Sequence, residues 1–205
     1  MKKILFGILF LFTVSAFAQD VPKFETYLGY TFGRINSGID IPAFSANGGM
    51  GEVVYNFNKF LGIVGSFPSV HNGNANNTTV DLTTFGYMFG PRGSLRFSRV
   101  IPSFETLFGA THVSRSFRGV PITLVGPNNT ITLPQRVISD ATEFSMLIGG
   151  NLDLAINQHL SFRPIKLDYY LTRFQPLFIP GISSVANRNR NQSNLLYSTG
   201  LNFRF

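Results

Sequence analysis

Eleven charged side chains in this sequence fall where every second residue is polar and the residues between are apolar. They are Glu25, Glu52, Glu105, Glu143, Asp153 and Asp168 on the acidic side, and Arg92, Arg96, Arg163, Lys166 and Arg204 on the basic side. Six acids and five bases on the minor faces of alternating segments nearly neutralise one another if those faces meet. Buried charges are tolerable only when paired or hydrated. The chemistry these residues can do together is therefore ion pairing across an enclosed interior. Lys166 and Asp168, two apart, share one face of their segment.

Other chemistry is thinner. There is no cysteine, so neither a disulfide framework nor a thiolate metal site is available. His71, His112 and His159 lie far apart, without ligand partners at metal-binding spacing, and read as loop or interface residues. Gly48-Gly49-Met50-Gly51 opens a strand and lacks the Lys-Ser/Thr pair of a phosphate loop. A hydrolytic rim can be drafted from His112, Ser114 and Ser116 with Asp140, but nothing in the sequence gives the nucleophile an oriented base. The Asn-x-Ser/Thr triplets at Asn76, Asn77, Asn128 and Asn191 are what Asn-rich loops produce by chance. Basic residues form no stripe interleaved with stacking aromatics, which argues against nucleic acid as a partner. No cofactor is implied.

The segments that must position the charges are strands. Asn194 to Phe205 splits cleanly in twos, with Leu195, Tyr197, Thr199, Leu201, Phe203 and Phe205 on one face and Asn194, Leu196, Ser198, Gly200, Asn202 and Arg204 on the other. The same alternation runs through 22–33, 51–57, 60–67, 80–97, 104–111, 144–154 and 159–174, giving eight strands. Leu160 and Phe162 have the wrong parity for Ile165 and Leu167, which predicts a one-residue bulge at Pro164. Pro91 predicts a bend or bulge in its strand. Asn58-Lys59 and Asn157-Gln158 read as two-residue turns, and 98–102 as a third short connection. Long polar loops separate the other strands, and the one at 114–140 has room for an extra hairpin. Long and short connections thus alternate, as loops and turns do on the two sides of an outer-membrane barrel.

Composition agrees. The 205 residues are 13% charged, yet contain 22 Phe and 20 Gly. This suits one domain whose outer wall is hydrocarbon. Residues 1–18 stand apart: Lys2 and Lys3, an apolar run from Ile4 to Val14, then Ser15-Ala16-Phe17-Ala18. That is the form of a secretory signal peptide cleaved between Ala18 and Gln19, leaving 19–205 as the barrel domain. In or beside the loops Arg34, Arg115, Arg118, Arg136, Arg173, Arg188 and Arg190 outnumber Asp40 and Asp140, which suits phosphates of an outer leaflet or, as the alternative, capture of an anionic partner.

Three stretches carry a resemblance: Phe89 to Phe97 (FGPRGSLRF), Ile165 to Phe174 (IKLDYYLTRF) and Asn194 to Phe205 (NLLYSTGLNFRF). The chain resembles the eight-stranded outer-membrane proteins grouped with the transmembrane domain of outer-membrane protein A. The resemblance implies an all-β, eight-stranded, antiparallel up-and-down transmembrane barrel in the outer membrane of a Gram-negative cell. It also implies that Phe205 is part of the signal read by the barrel-assembly machinery. The chain stops at the barrel, so anchoring through a peptidoglycan-binding domain is not expected. The function expected is a structural or surface-interaction role, with the lumen closed by side chains. A small pore is the alternative, and a lipid-modifying or proteolytic enzyme a more distant one. Expected partners are outer-membrane lipid and lipopolysaccharide, the assembly machinery, and an extracellular partner the sequence does not name. The expected state is a monomer.

Overall fold

The computed structural model describes residues 21–36, 43–73, 80–118, 122–125, 130–133, 136–174 and 190–205. The expected signal peptide, with Ala18 and Gln19, lies outside them, as do Asp40, Asn76, Asn77, Asn128 and Arg188. Ten strands follow in order: β1 (Phe24–Ile35), β2 (Phe44–Asn56), β3 (Leu61–Asn72), β4 (Val80–Ser94), β5 (Val100–Arg118), β6 (Ile122–Val125), β7 (Thr130–Leu133), β8 (Arg136–Ala155), β9 (Leu160–Phe174) and β10 (Arg190–Arg204).

Eight of them close into an antiparallel up-and-down barrel, in the order β1-β10-β9-β8-β5-β4-β3-β2. Strands β6 and β7 form a separate hairpin between β5 and β8, which is the extra hairpin the long polar segment allowed. Closure follows from β1 pairing β10, from Glu25↔Arg204 to Arg34↔Leu195. It removes the free edges that a sheet would otherwise present.

Alternation decides the faces. In β10, Asn194, Leu196, Ser198, Asn202 and Arg204 point inward and are buried, whereas Leu195, Tyr197, Leu201 and Phe203 point out and are exposed. The other walls repeat this, so Phe and Leu cover the outside, while Glu25, Glu52, Arg92, Glu105, Asp153, Arg163, Lys166, Asp168 and Arg204 are buried inside. A soluble barrel would place these sets the other way round.

The short connections use one device twice. Asn58 Oδ1 accepts from the amides of Phe60 (2.8 Å) and Leu61 (2.9 Å), and Asn157 Oδ1 accepts from those of His159 and Leu160 (both 2.8 Å). Each turn therefore holds four residues between strand ends rather than the two expected, because the Asn side chain stands in for a backbone acceptor.

Prolines divide. At Pro164 β9 carries one extra residue: Ser198↔Lys166 is followed by Gly200↔Arg163, and Leu152↔Ile165 by Leu154↔Phe162. At Pro91, where a bend or bulge was expected, no bulge occurs, although the pairing with β5 is interrupted at residues 90 and 91. The register runs through it, with Ile63↔Pro91 on one side and Phe89↔Phe108 then Arg92↔Glu105 on the other. The missing amide of proline removes a ladder bond, but that alone need not change the residue count. Strand β3 also runs on to Asn72, past Pro68, where a loop was expected. Strand β4 ends at Ser94 instead of Phe97, although the amides of Leu95 and Phe97 still bond to the carbonyls of Pro102 (2.9 Å) and Val100 (3.0 Å).

Candidate functional site in the barrel lumen

The bulge at Pro164 is what brings two bases of one strand inside. Arg163 and Lys166 have opposite parity, and a regular strand would put one of them on the outer face. With the extra residue between them, both are fully buried.

Arg163 is held on four sides. Its Nε and Nη2 fork onto Asp153 Oδ1 (2.5 Å) and Oδ2 (3.0 Å), and its Nη1 donates to Glu52 Oε2 (2.7 Å). The guanidinium also lies 4.2 Å from the centre of the Tyr27 ring. A bidentate fork on a carboxylate and an aromatic face are arrangements a lysine would not reproduce. Lys166 Nζ in turn sits among three carboxylates: Glu52 Oε1 at 2.8 Å, Asp168 Oδ1 at 3.2 Å, and Glu105. Asp168 faces the ammonium as an ion pair only, since neither of its oxygens accepts a hydrogen bond.

Arg92 completes the centre. Its Nη2 donates to Asn151 Oδ1 (3.0 Å), and its nitrogens stand 3.7–4.0 Å from Asp153, Glu52 and Glu105. A second, smaller cluster lies toward the turns, where Arg96 Nη2 meets Glu25 Oε1 at 2.5 Å and Asn56 Nδ2 donates to the same oxygen at 2.8 Å. Asn202 joins the two clusters, donating to Glu25 Oε2 (2.9 Å) and Asp153 Oδ2 (3.1 Å). Charges that would each be costly alone thus form a cross-braced network.

Two of the eleven charged residues stand outside it. Glu143 has the inward parity but is only half-buried near the long-loop end, and it makes no ion pair among the described residues. Its register partner is Thr111, so no base faces it from β5. Arg204 does turn inward, but it donates to the backbone carbonyl of Asn157 rather than to a carboxylate. The amides Asn56 and Asn202, which donate to the carboxylates, and Asn151, which accepts from Arg92, carry no such role in the sequence. The polar face marks them as inward and nothing more.

On the long-loop side of the charges the lumen turns apolar. Met88, Leu107, Leu147, Tyr170 and Leu196 each lie nearer the long loops than the network residue of their own strand, Arg92, Glu105, Asp153, Asp168 or Asn202, and all are fully buried or nearly so. Beyond them comes a second cluster that includes Ile35, Phe44, Val70 and Leu82. The interior is packed with side chains from the charge network upward, as eight strands lead one to expect.

The drafted hydrolytic rim does not assemble around a base. His112 Nδ1 meets Thr142 Oγ1 at 2.9 Å and not a carboxylate, while Ser114 is paired in register with Asp140 and Ser116 with Asp81. His71 stands near Thr83 (2.9 Å) and Asp81 (3.5 Å), and His159 belongs to a turn, so the three histidines occupy three separate places. Among the described residues no group of three potential ligands could hold a metal ion.

No family model matches the chain, and no curated protein is similar to it in sequence. Solved structures are similar in fold. The attachment invasion locus protein Ail of Yersinia pestis has 16% identity and a TM-score of 0.58, over 90% of this chain and 99% of that one. The same protein in complex with the heparin analogue sucrose octasulfate gives 17% identity and a TM-score of 0.57, over 90% and 99%. Neisserial surface protein A gives 11% identity and a TM-score of 0.61, over 91% and 100%. At these identities the likeness is one of fold, and it covers the whole of each neighbour. The chain folds as an eight-stranded outer-membrane-type β-barrel, closed and antiparallel, of the kind seen in Ail and neisserial surface protein A.

Proposed function

We propose that the protein is exported by its signal peptide and stands in the outer membrane as a closed barrel whose wall is structural and whose long loops meet partners at the cell surface. The observation that carries this reading is the lumen. A network of four acids and three bases, Glu52, Glu105, Asp153 and Asp168 with Arg92, Arg163 and Lys166, is almost completely buried and crosses the barrel between strands. Buried apolar side chains, among them Met88, Leu107, Leu147 and Leu196, lie above it together with the hydroxyls of Thr111, Ser145 and Ser198. A lumen bridged in this way leaves no continuous path for ions.

The outside supports the setting. Leu28, Phe89, Phe104 and Phe144 are more than half exposed on strands whose other faces are buried, an arrangement that only hydrocarbon makes favourable. The short turns then face the periplasm and the long loops the exterior. Arg34, Arg115 and Arg173 stand near the long-loop ends of their strands, and Arg118 and Arg136 are register partners there. Arginine forks suit the phosphates of lipopolysaccharide. Ail, a neighbour in fold, has been crystallised with a sulfated heparin analogue, and an anionic saccharide is the same chemistry. In this reading the barrel-assembly machinery recognises the strand ending in Phe205, and the barrel works as a monomer.

Planar-bilayer recording tests it. The folded, unmutated protein is expected to give no steady conductance. Stable, ion-selective channels from fully folded protein would overturn the closed-barrel reading and put the small pore in its place.

A further inference from the structure

We infer that the turn end of the barrel holds a binding pocket for phosphate-class oxyanions. A cavity of about 940 Å³ opens there, between the lead-in to β1 (Val21 to Phe24), the connection at Ser98 and Arg99, the turn from Ala155 to His159, and the end of β10. Its size lies within the range of ligand pockets. The charged side chains that line it are Lys23, Arg99 and Arg204, with His159 beside them, and among the described residues no acidic side chain lines it. This contrasts with the lumen, where each cation of the central network faces carboxylates.

Arg204 is the second and independent sign. It is only 8% exposed, and no carboxylate lies within ion-pair distance of it among the described residues, although Glu25, its register partner, and Asp153 act on its charge from farther off. One terminal nitrogen donates to the Asn157 carbonyl, and its Nε has no partner at all. The nearest acid, Glu25, is already held by Arg96, Asn56 and Asn202. A buried guanidinium with a free donor and only a neutral acceptor is an incomplete arrangement, and an oxyanion in the cavity would complete it. The frame is fixed for the purpose. Asn157 is tied to the amides of His159 and Leu160, His159 Nδ1 lies 3.2 Å from the Arg204 carbonyl, and the Arg204 amide donates to His159 O at 2.8 Å. Lys23 and Arg99 are exposed and bring two mobile charges to the mouth. The anion is either a soluble phosphate ester or the headgroup of an anionic lipid in the adjoining leaflet, and both present the same group to the same side chains.

The test is nuclear magnetic resonance of arginine Nε–H groups in the full folded protein. In neutral phosphatidylcholine nanodiscs, tripolyphosphate is titrated against the Arg204 Nε–H signal, which is assigned by its loss in Arg204→Lys. In a second arm no solute is added and phosphatidylglycerol replaces part of the lipid. A saturable shift with tripolyphosphate supports a soluble ligand, and a shift only in the phosphatidylglycerol discs supports the headgroup. Arg204→Gln could fail to assemble, so the decisive variant is Lys23→Gln with Arg99→Gln, both on the surface. It should weaken the response about tenfold, the scale of lost charge-assisted contacts. No saturable shift in either arm, or an unchanged response in the double variant, would overturn the proposal.

Discussion

Gly149 is the position where the lumen network is most sensitive to a single carbon. It faces inward on β8, opposite Asp168 on β9. A Cβ added there would lie 1.8 Å from Asp168 Oδ1, 2.9 Å from its Cγ, and 2.7 Å from the backbone oxygen of Leu167. The carboxylate can swing away, but the backbone oxygen is fixed by the sheet, so Gly149→Ala must both move Asp168 and strain the ladder. Overpacking of this kind costs about 1–3 kcal/mol. Moving Asp168 also removes one of the three carboxylates around Lys166, which stands 3.2 Å away. The other two remain, so the cost is a weakened contact and not an orphaned charge. We expect about 2–3 kcal/mol in total, read as a lowered urea midpoint for unfolding from lipid vesicles. Gly49→Ala is the control, because that glycine is on the outer face and the added carbon would meet nothing closer than 3.5 Å. It should change stability by less than about 0.5 kcal/mol. Asp168→Ala should make the Gly149→Ala substitution cheaper, since the clashing carboxylate is gone. Equal costs at Gly149 and Gly49, or strict additivity with Asp168→Ala, would refute the reasoning.

Arg163→Met should cost about 3–5 kcal/mol, because it leaves Asp153 buried without its main partner and takes one of two close cations from Glu52; bilayer recording of the surviving folded fraction should show new, unsteady conductance. Leu167 is 48% exposed near the middle of β9, so Leu167→Arg should cost about 2–4 kcal/mol in vesicle refolding. A cost near zero there would mean that this face does not meet hydrocarbon. Deleting Phe205, or replacing it with Lys, should sharply lower the amount of heat-modifiable folded protein in the outer membrane, and unchanged amounts would remove its part in assembly.

Much of the barrel is legible in the chain because a strand has a period of two. Alternation names the face of each residue without any knowledge of its neighbours, and the long outer rows of Phe and Leu show which face has no core to meet. The same parity exposes the extra residue at Pro164, since Leu160 and Phe162 fall out of step with Ile165 and Leu167. It could not decide Pro91, where proline removes one bond and the partner strands keep the register. Parity also placed Glu143 with the other charges, although depth along the barrel, which parity does not measure, leaves it near the rim without a base.

Pairing inside the lumen belonged to the tertiary structure alone. Arg163 reaches Glu52 across 111 positions of sequence, Lys166 reaches Glu105 across 61, and Asn202 reaches Glu25 across 177. Which charges meet depends on how far each strand is staggered when the sheet closes, and the stagger is set by turns, bulges and the pairing of β1 with β10. The sequence by itself determined that acids and bases share one interior. Hairpin register set Gly149 under the Asp168 carboxylate, and closure brought Asn202 between Glu25 and Asp153 and left Arg204 with no carboxylate at ion-pair distance, because contact across a barrel is a property of its geometry and not of local periodicity.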